Sequence, residues 1–272
     1  MKDLMKELGI SKEQLRKLVR GKKSNPKILK QDLSDDTFKF GIVGDTHLCS
    51  IHEKLNELHT FYEICRKEKI EVVVHAGDVL AGINVYRGQE FEVHTLGAKK
   101  QVDYVAKNYP KVKGIKTYFI LGNHDMVYWH RMGIDVGDMI STQREDMVYL
   151  GQYQGDLFIN GIDIRLVHPD KSGAYAVSYN LQKMAEQIPS GKKPHIFIAG
   201  HYHTSLYFFY RLIHLFQAGC FEDQSLFLLR KGINPTIGGW TVKVRIAKDK
   251  TILSITPTFI PFIERRDRWK KR

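Results

Sequence analysis

The sequence contains little cysteine: three residues in 272, Cys49, Cys65 and Cys220, which lie far apart. An odd, widely spaced set predicts neither a disulfide framework nor a cysteine-based zinc site. It suits a reducing compartment, so we expect a cytoplasmic location.

Long apolar runs are also missing. No run reaches the roughly 18 residues that a membrane-spanning helix requires, and residues 1–7 mix both charge signs without an apolar signal-peptide centre. We therefore expect no membrane partner. At 43% hydrophobic residues, the chain has enough apolar side chains to bury the core of one domain with appendages.

The net charge of +12 is concentrated at the two ends of the chain. Residues 1–30 contain ten Lys and Arg against three Asp and Glu, and residues 264–272 contain six against two. The intervening residues are nearly neutral. Two interpretations stay open: basic arms that bind a polyanion such as nucleic acid, or solvated tails that keep the protein soluble.

Residues 1–36 are predicted to form a basic helical extension and a linker. Apolar residues at helical spacing predict two short helices within residues 2–20. They resemble a helix-turn-helix only weakly, and a helical hairpin docked on the main domain or on a partner is the alternative. Residues 21–36, rich in Lys, Ser, Asn, Pro and Asp, are typical of a linker.

Five apolar segments are each followed by Asp, Asn or His, usually after a glycine. β-Branched and aromatic residues predict that these segments, at 38–43, 72–76, 117–120, 164–167 and 196–199, are buried strands. In open α/β sheets the carboxyl ends of the strands carry the chemistry. The polar residues placed there are Asp45, His47, Asp78, Asn123, His168, His201 and His203.

These seven side chains offer oxygen and nitrogen donors and no sulfur, a set that suits Mn, Fe, Zn or Ni. Seven ligands are too many for one ion and are enough for two if one carboxylate is shared. Asp78 is the natural shared ligand, because it stands alone on its loop. His124, next to Asn123, remains after the ligands are counted.

In order, the motifs are GDTH at 44–47, GD at 77–78, GNHD at 122–125, His168 and GHYH at 200–203. This series resembles the calcineurin-like metallophosphoesterase superfamily over residues 37–263. The resemblance implies an α/β fold, a four-layer αββα sandwich of two mixed β-sheets flanked by helices. One metal ion would be held by Asp45, His47, Asp78 and His203, and the other by Asp78, Asn123, His168 and His201. His124 would be the catalytic histidine and Asp125 its orienting partner.

Such a centre implies a binuclear metal-dependent phosphoesterase in which a metal-bridging hydroxide attacks phosphorus and His124 protonates the leaving group. We expect two divalent ions, with Mn first and Fe, Zn or Ni as alternatives, and phosphodiester bonds of nucleic acid or nucleotides as substrate. A phosphomonoesterase acting on a nucleotide, small molecule or phosphoprotein is the alternative. A non-catalytic binding subunit on the same scaffold ranks last, because every ligand is present.

The remaining pattern predicts elements around this core. Helices are expected at 53–67, 97–108, 174–188 and near 222–230, a hairpin at Asn160-Gly161, and one long strand region at 205–218. The connection at 83–96 is long enough to contribute to substrate specificity. The aromatic stretch 128–131 could bind a base or pack beneath the loop that carries the GNHD motif.

Overall fold

The computed structural model describes residues 29–31, 36–171 and 173–262. The predicted helices within residues 2–20 and the basic tail at 264–272 lie outside these residues. Within the described part, no helix is long and apolar enough to cross a membrane.

Twelve strands and six α-helices make up the described chain. The strands are β1 Leu29–Gln31, β2 Thr37–Val43, β3 Val72–His75, β4 Lys116–Leu121, β5 Met147–Gln152, β6 Gln154–Ile159, β7 Ile162–Val167, β8 Ile196–Ala199, β9 Ser205–Tyr210, β10 Ile213–Ala218, β11 Gly238–Ile246 and β12 Ile252–Pro261. The helices are α1 Leu55–Lys67, α2 Ala98–Asn108, α3 Asn123–Met132, α4 Val136–Gln143, α5 Tyr179–Gln187 and α6 Leu226–Arg230.

The strands form two mixed six-stranded sheets. One has the order β1-β6-β7-β8-β10-β9 and the other β12-β11-β2-β3-β4-β5. Strands β2, β3 and β4 are parallel neighbours, as are β7, β8 and β10. Their carboxyl ends therefore lie together at one edge of each sheet.

Three buried apolar clusters define the layers. Side chains such as Ile42 and Val74 meet Ile164 and Phe216 between the sheets. The other face of the β2–β4 sheet packs against α1, α2 and α4, and α5 covers the second sheet through Leu181 and Ala185. This confirms the predicted four-layer αββα sandwich.

Some predicted elements differ from the structure. The region 205–218 is a hairpin, because Arg211 and Leu212 adopt left-handed φ values of 51° and 65° and turn the chain between β9 and β10. Within the predicted linker 21–36, the structure has one short strand, Leu29–Gln31, which pairs in parallel with β6. The helices predicted at 174–188 and near 222–230 are shorter, starting at Tyr179 and Leu226.

Candidate metal centre

The predicted ligands come together where the two sheets meet. Each follows the carboxyl end of a strand: Asp45 and His47 follow β2, Asp78 follows β3, Asn123 begins α3 after β4, His168 follows β7, and His201 and His203 follow β8. Backbone bonds join the loops, since the Asp45 N–H donates to Gly77 O and the Thr46 N–H to Asp78 O.

Five of the seven residues hold an unusual backbone conformation. Asp45, His47, Asp78, His201 and His203 have φ values of 45°, 42°, 55°, 77° and 53°. Non-glycine residues avoid this left-handed region because of the Cβ atom, and each such residue costs about 1–3 kcal/mol. The fold retains this strain in the loops that carry the donors, which is typical of a functional site.

Two motif glycines allow the backbone to approach these side chains closely. A Cβ atom on Gly122 would lie 2.2 Å from Asp78 Oδ1 and 2.6 Å from His168 Cε1. A Cβ atom on Gly77, whose φ is +94°, would lie 2.5 Å from His168 Nδ1. Any larger residue at either position would displace a predicted ligand.

The first donor cluster contains Asp45, His47 and His203, whose ligand atoms lie within 4.8 Å of one another. The Nε2 atoms of His47 and His203 are 3.2 Å apart, and His203 Nε2 is 3.5 Å from Asp45 Oδ1. Both oxygens of Asp45 also accept the His201 N–H at 2.9 Å.

The second cluster contains Asp78, His168 and His201, with Asn123 between them. Asn123 Oδ1 lies 3.1 Å from His168 Nε2 and 3.0 Å from His201 Nδ1. His168 Nδ1 donates to Ala76 O at 2.8 Å, which turns Nε2 towards the other donors.

Asp78 joins the two clusters. Its Oδ2 is 3.2 Å from His168 Nε2 and 3.6 Å from His47 Nε2. Burial alone would raise the pKa of Asp78, but the adjacent His168, His124 and His47 outweigh burial and hold it well below its usual range. Asp78 is therefore an anion placed between two groups of nitrogen donors.

Three imidazoles of the centre are neutral at pH 7. Burial is the main cause, lowering the pKa of His203 to about 3 and of His201 to about 4, and that of His47 well below its usual value. A neutral imidazole keeps a lone pair for a metal ion.

His168 behaves differently from the other three histidines. Burial lowers its pKa, but the Asp78 carboxylate raises the pKa to about 9. A proton and a metal ion therefore compete for Nε2.

The donor set fits divalent metal ions. Oxygen and nitrogen atoms of buried and half-buried side chains converge within 3.0–3.6 Å of one another, and gathering them without a cation is costly. Mixed carboxylate, amide and imidazole ligation without sulfur is the chemistry of Mn, Fe, Zn or Ni.

His124 lies at the start of α3, beside both clusters. Its ring is 4.2 Å from the His47 ring, and one of its nitrogens is within 4.8 Å of donor atoms of His47 and Asp78. Nδ1 lies 2.7 Å from Ala81 O. A carbonyl oxygen only accepts, so Nδ1 carries a proton and Nε2 is left for the cleft.

The Asp125 carboxylate is hydrogen-bonded to backbone N–H groups of two loops rather than to the His124 ring. This fully buried carboxylate accepts the N–H groups of Val79 at 3.1 Å, Leu80 at 2.7 Å and Gly122 at 2.9 Å. Burial, followed by the Asp78 charge, raises the pKa of Asp125 to about 7, although the three N–H donors act to lower it. The orienting role therefore stays a prediction: in the described residues Asp125 ties the Asp78 loop to the start of α3, and Ala81 O is the group that contacts His124 Nδ1.

Glu222 is a site residue that the sequence analysis missed. It follows β10 and is 6% exposed. Its Oε2 lies 3.7 Å from His203 Nδ1, which has no hydrogen-bond partner among the described residues, and 3.9 Å from His47 Nε2. The signal was present, since a strand, Gly219 and an acid three residues later resemble the other motifs, but the pattern of 205–218 predicts no break between β9 and β10.

A cleft of about 760 Å³ opens over the centre. His47, Asp78, Asn123 and His124 lie in its floor, Tyr86 and Phe227 line one part, and residues around Tyr175 line another. Of the aromatic stretch 128–131, Tyr128 is fully buried within the helical layer, which favours the packing interpretation.

A family model described as calcineurin-like phosphoesterase matches residues 38–223, which is more than half of the chain and includes all seven donors. The chain belongs to this family. The match also covers His124, Asp125 and Glu222. The matched region therefore contains all of the loops that form the centre described above.

Curated relatives include DNA polymerase II small subunits. The one from Methanothermobacter thermautotrophicus is 25% identical over 62% of this chain and 42% of its own length. The one from Halobacterium salinarum is 21% identical over 78% of this chain and 49% of its own length. The chain thus spans about half the length of these relatives. A solved structure described as a novel archaeal phosphodiesterase is 15% identical, with a TM-score of 0.46, over 82% of this chain and 100% of that chain.

Proposed function

We propose that this calcineurin-like protein is a binuclear metal-dependent phosphodiesterase acting on nucleic acid or nucleotides. The observation that carries the proposal is the pair of donor clusters that meet at Asp78, with His124 beside them. A single buried ion pair or a structural core would not need seven convergent donors, five of them on strained backbone.

Asp45, His47, Asp78 and His203 would hold one ion, and Asp78, Asn123, His168 and His201 the other, with Mn favoured over Fe, Zn or Ni. When bound, the two ions supply an activated water at neutral pH and neutralise charge on the phosphoryl oxygens. The chain's part is to fix the donors in place before substrate arrives, through the strained loops and the backbone bonds between them.

His124 is the proposed general acid. The Ala81 carbonyl accepts the Nδ1 proton and leaves Nε2 facing the cleft. In the imidazolium form, which carries a second proton on Nε2, His124 can give that proton to the leaving oxygen and become the neutral Nδ1–H imidazole. His124 also sits in the first turn of α3, where the helix dipole favours a negatively charged ligand. Removing such an acid typically slows catalysis by about 10²–10⁴-fold.

Two observations support nucleic acid or nucleotide diesters over other substrates. The chain ends are basic, and the relatives at 21–25% identity are named as subunits of a DNA polymerase. Those names favour, as a second candidate, a subunit role in a DNA-processing complex. The intact donor set supports catalysis over binding alone.

Purified protein with Mn²⁺ should be assayed on a generic aryl diester, a generic aryl monoester and single-stranded DNA. We expect hydrolysis of the diester and DNA, weak monoester turnover and loss of activity in EDTA. Asp78→Asn should lose activity and weaken both ions together, whereas the exposed Asp138→Asn should match the wild type.

Faster monoester turnover would favour the phosphomonoesterase instead. Two bound ions without hydrolysis of any substrate would favour the subunit role. If Asp78→Asn loses one ion and keeps the other at wild-type affinity, Asp78 is not shared between the two sites.

A further inference from the structure

A pair of stacked aromatic rings stands in the cleft beside the metal centre. Tyr86, on the connection between β3 and α2, and Phe227, on α6, have ring centroids 4.6 Å apart at an interplanar angle of 20°. Both are half-buried and both line the cleft. Neither belongs to the apolar clusters of the described residues, so the stack is not part of the core.

One buried carboxylate holds the stack together. Glu92, 6% exposed, accepts the Tyr86 hydroxyl on Oε2 at 2.6 Å and the Leu226 N–H on Oε1 at 3.1 Å. It therefore connects the loop that carries Tyr86 to the helix that carries Phe227. The rings are fixed before any ligand arrives, which lowers the entropy cost of binding.

The stack is close to the proposed chemistry. The Tyr86 ring lies 6.2 Å from the His124 ring, and Lys231 Nζ lies 5.8 Å from the Phe227 ring centroid. Among the described residues that line the cleft, Lys231 is the only Lys or Arg. A ligand with an aromatic group one sugar away from a phosphate matches this arrangement of aromatic face, cation and metal donors.

We propose that Tyr86 and Phe227 form a nucleobase-binding subsite, where a base linked to the phosphate at the metal centre stacks on the Tyr86–Phe227 pair and Lys231 adds the positive charge that a nucleotide favours. This subsite rests on the proposed phosphoesterase function. Stacking accepts every base because each has a π face, so the subsite selects nucleotides without selecting sequence.

The test compares two probes on the Mn²⁺-loaded full chain: AMP, and ribose 5-phosphate, which lacks the base. Calorimetry should show AMP binding tighter by about 5- to 150-fold, the value of one stacked base. We call the affinity for AMP divided by that for ribose 5-phosphate the affinity ratio. Tyr86→Leu and Phe227→Leu should remove most of this ratio and leave the affinity for ribose 5-phosphate unchanged.

Two further variants separate stacking from folding. Tyr86→Phe keeps the ring and loses the bond to Glu92, so it should retain most of the ratio. Tyr175→Leu, a fully exposed tyrosine elsewhere along the same cleft, is the matched control and should retain all of it.

Equal affinity for the two probes in the wild type would overturn the subsite, as would a ratio that survives Tyr86→Leu or disappears in Tyr175→Leu. If the aryl diester is hydrolysed while the ratio is absent, only the subsite fails. If no ester is hydrolysed and neither probe binds, the proposed function fails, and the subsite with it.

Discussion

Replacing Asp125 by Asn separates a structural role of this residue from a catalytic one. The carboxylate is fully buried and accepts three backbone N–H groups, from Val79, Leu80 and Gly122. If this network is its function, the substitution lowers the stability of the whole domain. If Asp125 instead acts on His124, it lowers turnover alone.

The magnitude follows from the hydrogen bonds. Each buried donor left without an acceptor costs about 1–3 kcal/mol. Asn keeps one oxygen and turns an NH₂ group towards a backbone donor, so at least one N–H loses its acceptor. We expect Asp125→Asn to lower the free energy of unfolding by about 1–3 kcal/mol. Asp125→Ala leaves all three donors unpaired and should cost several times more, a large part of the roughly 5–15 kcal/mol of a typical domain.

Urea unfolding in EDTA measures this cost without a contribution from bound metal. The matched control is Asp135→Asn, since Asp135 also accepts two backbone N–H groups, at the start of α4, but is only partly buried. Asn caps helices about as well as Asp, so stability should hardly change there. Unchanged unfolding of Asp125→Asn together with a large loss of turnover would refute the structural role.

The other predictions test single groups. His124→Ala should keep both ions and slow diester turnover by about 10²–10⁴-fold, less on substrates with acidic leaving groups; loss of an ion would make His124 a ligand. Glu222→Gln removes the carboxylate beside His203 Nδ1 and should weaken metal binding by about 10–100-fold in a metal titration, and an unchanged affinity would exclude it as a support for His203. Deleting residues 1–28, which spares β1, or 264–272 should leave aryl diester turnover unchanged and flatten the salt dependence of DNA binding; an unchanged salt slope would reject the arms as DNA contacts.

The sequence alone predicted the fold class, and it placed seven donor side chains at strand ends that the structure brings together. The reason is that this information is local. A β-branched run, a glycine and a polar residue within a few positions describe a strand and the loop at its end. The parallel order of β2, β3 and β4, and of β7 and β8, then brings such ends to one edge of each sheet.

The local sequence pattern did not predict contacts between segments that are far apart in the chain. Asp125 follows His124 in the chain, yet its carboxylate contacts residues 79 and 80, which no spacing rule indicates. The turn at Arg211-Leu212 lies inside the mostly apolar stretch 205–218. The sequence pattern therefore did not indicate β10 as a separate strand, or Glu222 after its end.

The stack of Tyr86 on Phe227 shows the same limit for the cleft. Glu92 and Leu226 meet across 134 positions of sequence, and their hydrogen bond places the two rings together. Strand ends and their donors can be predicted because a few neighbouring residues determine them. The partner of a carboxylate and the wall of a cleft are decided only when the two sheets pack, because burial selects which distant polar groups must satisfy one another.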